Sequence, residues 1–199
     1  ALVYQGYPAF DAPLATFALR RAGAIVTEVE RTWLDPARFA DYDVVVIDGD
    51  FVRAKIEPNR FSADDLKHVK GFIEGGGTLL LTRQRTDLFA TPEGRDFLAE
   101  VSGPSIGNNS TQFRMLKPEH PWVKHLAQRD SLPWIDGKLV TPMRGDRCDP
   151  ILGTTAGAAA LCQIPVGKGQ LIYVGWGIAR DLPNGRVKTT VEQEAAFND

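Results

Sequence analysis

The chain has 199 residues, 43% of them hydrophobic and 24% charged, with a formal net charge of −2. That size and composition support a substantial buried core, and the lack of a basic excess argues against a dedicated nucleic-acid binder. No run approaches the ~20 apolar residues that a membrane-spanning helix needs, and apolar stretches such as 44–47 and 78–81 are the length of strands.

Residues 1–5 read as an apolar strand ended by Gly6-Tyr7-Pro8. A helix follows, with Asp11 and Pro13 near its start and Leu14, Phe17, Ala18 and Leu19 on one face, and Gly23 ends it. Residues 24–29 alternate as a second strand, 35–39 form a short helical turn, and 43–48 hold the run Val44-Val45-Val46-Ile47, apolar on both faces as in a central parallel strand covered by helices. Ser62 is an N-cap, with Asp64 and Asp65 in the first turn where the helix dipole favours negative charge. Leu66, Val69, Phe72 and Ile73 give that helix an inward stripe, Gly75-Gly76-Gly77 stops it, and 78–82 is another buried strand. Strand, helix, strand, helix, strand predicts right-handed crossovers and a three-layer α/β sandwich with a mostly parallel central sheet.

The second half is less regular. Residues 91–101 read as a helix with Pro92 in its first turn, 103–115 as loop or edge strand, and 119–127 as one or two helical turns. Short strands are predicted at 139–141, 151–152 and 158–164, a turn at Gly167-Lys168-Gly169, a strong strand at 170–175 and a closing helix at 189–198. No repeat or linker divides the sequence, so one domain over 1–199 is expected. The strand-like start and the helix-like end make it read as an excerpt of a longer chain.

In open parallel sheets, ligands gather beyond the carboxyl ends of the strands. Those ends supply Gln5 and Tyr7, Asp48 and Asp50, Arg83 and Arg85, and Trp176 with Arg180, the candidate ligand-binding residues. Ion pairs and helix caps are the competing explanation, since loops are polar by default. Asp48 and Asp50 share a side of a continuing strand, but a hard cation wants six or more oxygens, so neither metal nor cofactor is expected. His68 reads as a surface residue; His120 and His125 are off the i, i+4 spacing of two ligands on one helical face, and no histidine falls in a triad pattern. The glycine runs at 75–77 and 167–169 precede or join strands, whereas phosphate cradles follow a strand and open a helix, so both are read as turns. Cys148 and Cys162 are too few for a disulfide scaffold or a four-cysteine zinc site. Two small buried thiols are expected; the alternative is a pair closing a short loop in an oxidising compartment. The compartment itself stays open.

Three segments carry a family resemblance: Tyr42-Asp43-Val44-Val45-Val46-Ile47-Asp48-Gly49, then the stretch from Val69 through Gly75-Gly76-Gly77 to Thr82, then Val166-Gly167-Lys168-Gly169 running to Gly177. Together they resemble the class I glutamine amidotransferase-like superfamily, and more closely its non-amidotransferase branches, the ThuA-like proteins and the trimerisation domain of some bacterial β-galactosidases. His120-Pro121-Trp122-Val123 is similar to a segment common in that branch. The resemblance implies a flavodoxin-like fold. True amidotransferases carry a cysteine just after the strand equivalent to 78–82, where this chain has Arg83-Gln84-Arg85, and a His and Glu after the last strand, where Gly177-Ile178-Ala179-Arg180-Asp181 supplies neither. Without a thiolate there is no acyl-enzyme chemistry, and glutamine hydrolysis is not expected. The leading expectation is a non-catalytic module that binds a protein partner, a second copy of itself or a ligand. Trp122, Trp134 and Trp176 are read as core residues, with interface or sugar-stacking surfaces as the alternative, and a carbohydrate ligand is implied only through the family's neighbours. The competing reading is a ThuA-like hydrolase or sugar-processing enzyme using Asp48, Asp50, Arg83 and Arg85 at the strand ends with a metal or a bound sugar.

Overall fold

The apolar runs become strands and the amphipathic runs become helices in a computed structural model that describes residues 1–5, 14–30, 35–47, 60–82, 88–89, 91–102, 105–106, 113–124, 143–154 and 158–175. In chain order these are β1 (Leu2–Gln5), α1 (Leu14–Arg21), β2 (Thr27–Glu30), a 3₁₀ helix (Pro36–Asp41), β3 (Val44–Ile47), α2 (Ala63–Glu74), β4 (Thr78–Thr82) and α3 (Pro92–Ser102). Six more strands follow among the described residues: β5 (Ser105–Ile106), β6 (Phe113–Met115), β7 (Met143–Arg144), β8 (Asp149–Thr154), β9 (Ala159–Val166) and β10 (Gly169–Val174). The strand expected at 139–141 and the helix expected at 189–198 lie outside the described residues, as do Asp11 and Pro13.

The sheet is mixed. Its main path runs β2-β1-β3-β4-β10-β9-β7-β5, with β8 also on β9 and β6 on β8. From β2 to β10 every pairing is parallel; from β10 onward every pairing is antiparallel. The expectation of a mostly parallel sheet therefore holds for the first half of the chain with β10 and fails for the rest. The two-residue turn between Val166 and Gly169 is the reason, because a connection that short can only reverse the chain.

The register aligns one apolar face. Leu2, Val45, Leu79, Leu171 and Ile164 form one row across β1, β3, β4, β10 and β9, and Ile47, Leu81, Tyr173 and Cys162 form the next. Each is buried. Onto this face pack Phe39 of the 3₁₀ helix, the predicted α2 stripe of Leu66, Val69, Phe72 and Ile73, and Phe97, Leu98 and Val101 of α3. Fully burying such a side chain is worth ~1.5–3 kcal/mol, so this cluster is the main source of stability. On the opposite face Val3, Val46 and Val174 are buried, while Leu80 and Ile172 are half-buried beside a polar ladder in which Gln163 donates to Gln170 and Gln170 donates to Thr78 Oγ1 at 3.2 Å. The strand 78–82 is thus fully covered on one side only among the described residues.

The helix ends follow their caps. Ser62 Oγ accepts from the Asp65 N–H at 3.2 Å while Asp65 Oδ2 accepts from the Ser62 N–H at 2.8 Å, a reciprocal capping box. Thr91 Oγ1 accepts from the Gly94 N–H at 3.0 Å and so caps α3, with Pro92 as its first residue. α1 and α2 stop alike: Gly23 (φ +86°) and Gly76 (φ +122°) take the left-handed conformation that lets the chain fold back on the last carbonyls. That closure displaces the second strand, expected at 24–29. Ala24 N–H is spent on Leu19 O, and sheet pairing begins only where Thr27 N–H reaches Ala1 O.

Candidate functional site

Because β1, β3, β4 and β10 are adjacent and parallel, their carboxyl ends share one edge of the sheet. Gln5 is the last residue of β1, in register with Glu30 of β2. In sequence, Asp48 follows the last residue of β3, Arg83 follows the last of β4, and Trp176 comes two residues after the end of β10. Tyr7, Asp48, Asp50, Arg83, Arg85, Trp176 and Arg180 themselves lie outside the described residues. The strand order brings the carboxyl ends of β1, β3, β4 and β10 to one edge, and of the candidate residues only the Gln5 backbone is described.

The two cysteines are accounted for. Cys148 and Cys162 form a disulfide with Cα atoms 5.7 Å apart, which corrects the expectation of two buried thiols. It is the alternative that the sequence left open, a pair closing a short loop. What brings the pair together is the antiparallel register of β8 on β9, which sets Pro150 opposite Cys162. Cys162 faces Tyr173, which in turn faces Leu81, so β10 stands between this sulfur and β4. Neither cysteine is free to act as a thiolate nucleophile.

Of the histidines, His68 is exposed on α2, as expected, and His125 lies outside the described residues. His120 is half-buried: its Nδ1 accepts from the Trp122 N–H at 3.3 Å, and its ring meets the Trp122 ring edge-on at 4.9 Å. Its carbonyl accepts from the N–H groups of Val123 and Lys124. The segment expected to make one or two helical turns is a set of tight turns over 118–124, and His120 is their organiser. Trp122 is 39% exposed, against the expectation that it is core.

Among the described residues, several charged contacts involve the helices. Lys70 on α2 bridges to Glu100 on α3, and the hydrogen bond to Glu100 raises its ammonium above the usual lysine range. The Glu100 carbonyl accepts from Arg147 Nη1 at 2.6 Å, tying the turn before β8 to the end of α3. Asp64 is lowered by its hydrogen bond to Lys67. These pairs are exposed and belong to helix surfaces. Among the described residues no three His, Cys, Asp or Glu side chains gather as a metal-ligand set, and no helix is long and apolar enough to cross a membrane.

Two glycine motifs that carried the resemblance prove to be one structure. The last four carbonyls of α2 are all satisfied: Gly71 O by Gly75 N–H, Phe72 O by Gly77 N–H, Ile73 O by Gly76 N–H, and Glu74 O by Lys168 N–H from the β9–β10 turn at 3.0 Å. Gln170 N–H closes the clasp on Gly77 O at 3.1 Å. The backbones approach so closely that a Cβ on Gly169 would lie 2.2 Å from Gly77 O and 2.3 Å from Ile73 O. Both runs are structural turns, as the sequence indicated.

No protein-family model and no curated protein matches the chain. Solved structures do resemble it. A putative ThuA-like protein from Bacteroides uniformis superposes with a TM-score of 0.59 at 13% identity, covering 91% of this chain and 83% of that one. The cytoplasmic protein STM3548 from Salmonella typhimurium gives 0.56 at 17%, with 89% and 88% covered. A β-galactosidase from Bacillus circulans sp. alkalophilus gives 0.50 at 14%; 98% of this chain matches 31% of that much longer one. At these identities the likeness is one of architecture: an α/β fold shared with a ThuA-like protein and with part of a glycosidase.

Proposed function

We propose that this chain is a non-catalytic, class I glutamine amidotransferase-like module of the ThuA-like branch, one flavodoxin-like three-layer domain over 1–199, serving assembly or ligand binding. The observation that carries the reading is the Cys148–Cys162 disulfide, which leaves the chain's two cysteines without a thiolate. The parallel order β2-β1-β3-β4-β10 supports the flavodoxin-like assignment, since it is the 2-1-3-4-5 order of that class. On this reading the ligand edge comprises Gln5, Tyr7, Asp48, Asp50, Arg83, Arg85, Trp176 and Arg180. The partner is a protein, a second copy of the chain or a carbohydrate. The match to about a third of a β-galactosidase supports a role beside sugar-processing units.

The test is turnover. Purified chain and its Asp48→Ala and Arg83→Ala variants are assayed with glutamine and with chromogenic glycosides, and all three are expected at background. Turnover that either substitution abolishes overturns the module. The rival, a ThuA-like hydrolase using Asp48, Asp50, Arg83 and Arg85, draws support from the match to a ThuA-like chain of similar length. It requires a loaded site, so calorimetry that finds no binding of calcium, magnesium, manganese or zinc at millimolar concentration counts against a metal-dependent form of it.

A further inference from the structure

We propose that Cys148–Cys162 is a constitutive structural lock and that this chain works in an oxidising compartment. The bond sits where the sheet is least able to hold itself. β7 is only two residues long, and the β8–β9 ladder carries register shifts between Pro150 and Leu152 and again between Leu152 and Gly153. The turn that delivers Cys148 is otherwise held by Cys148 N–H on Gly145 O at 3.2 Å, by Arg147 on the Glu100 carbonyl, and by the Lys117–Asp149 ion pair just beyond it. Arg147 and Asp149 are exposed, and exposed pairs of this kind are worth little. Cys162 is 0% exposed, in the same row as Tyr173 and Leu81, so the bond clips this corner onto the main core.

Burial separates a lock from a switch. Cys148 is 7% exposed and Cys162 is fully covered, so a reductant reaches the bond only when the corner opens. Formation is a thiol–disulfide exchange with a donor disulfide, of the glutathione or oxidoreductase class. One cysteine thiolate attacks the donor, the second displaces the resulting mixed disulfide, and the donor leaves as two thiols, so that electrons and protons balance. In a compartment whose thiol pool is kept reduced the same exchange runs backward, and such bonds are rare there.

The endogenous protein decides the matter. Acid-quenched host cells are fractionated and alkylated under denaturing conditions, and the mass of the chain is read. The expected result is a chain with no labelled thiol, lighter by two hydrogens than its reduced form, recovered outside the cytosol. Free thiols in the folded endogenous chain, or the crosslinked chain in the cytosol, overturns the proposal. The locking role is read by comparing oxidised wild type with the Cys148→Ala/Cys162→Ala double variant, whose Tm is expected to fall by roughly 6–12 °C, the loop-closure effect for a link of this length. If the variant does not fold, the comparison is made on wild type scanned with a reductant. A shift below about 2 °C removes the lock. Alkylation and turnover are independent readouts, so this proposal and the functional one fail separately.

Discussion

Replacing Gly169 with alanine probes the clasp between α2 and the β9–β10 turn. The new Cβ would sit 2.2 Å from Gly77 O, 2.3 Å from Ile73 O and 2.9 Å from Gly76 C, all backbone atoms with no flexible end to swing away. Relief requires the turn to lift off the helix, lengthening the bonds from Lys168 N–H to Glu74 O and from Gln170 N–H to Gly77 O. Overpacking costs ~1–3 kcal/mol and each weakened hydrogen bond up to ~1 kcal/mol, for a total of about 3 kcal/mol. In a chain of this length that lowers Tm by roughly 6–12 °C. The control is Gly71→Ala on the exposed side of the same helix, where a Cβ meets nothing within 4 Å. It is expected to stabilise by ~0.5–1 kcal/mol through helix propensity. Urea denaturation of both variants measures the difference directly. A Gly169→Ala protein within about 0.5 kcal/mol of wild type would mean that the clasp yields to a Cβ without cost, since surface substitutions without structural consequence fall in that range.

Ser62→Ala removes half of the α2 capping box and is expected to cost about 1 kcal/mol in the same urea assay; no loss would mean that Asp65 suffices alone. Thr16 is fully buried on α1 with no hydrogen-bond partner for its hydroxyl among the described residues. Thr16→Val keeps the shape and is expected to gain about 1 kcal/mol, whereas a loss would reveal a partner for the hydroxyl. The Lys70–Glu100 link has a pH signature. Because the folded ammonium is raised above 10.5, its stabilisation is fully present below that value and is lost as pH rises through the folded value. Tm followed into alkali is expected to fall more steeply for wild type than for Lys70→Met, and identical slopes would show that the bridge contributes nothing.

Local chemistry made the first half of the fold legible. The Ser62 cap, the stripe from Leu66 to Ile73 and the two-sided apolar run of β3 each state their structure within a few residues, and each is seen. The second half depends on long-range register that no short window contains. β7 has no apolar run to announce it, and β8 and β9 are recognisable as strands but not as a bulged ladder. The disulfide follows from that ladder, which is why the cysteines read as separate thiols. The apolar runs of β1, β3, β4 and β10 were legible as parallel strands, and strands that run the same way carry their carboxyl ends to one edge. The chemistry of Asp48, Asp50, Arg83 and Arg85 is not legible from residue type, because they have the same composition whether they bind a ligand or one another.

β10 is the last strand described in chain order, yet it occupies the middle of the molecule, parallel to β4 on one side and antiparallel to β9 on the other. The hydrogen bond from Gln170 to Thr78 spans 92 residues. While the chain is being synthesised, β1 through β4 can assemble but must wait with one side of β4 unpaired until the β9–β10 hairpin arrives. A chain interrupted before residue 169 would present that edge, backed by Leu79 and Leu81, as a template for sticking to its neighbours. The order of synthesis thus leaves one side of β4 open for as long as β10 is missing, and closing the sheet there is the step that removes that edge.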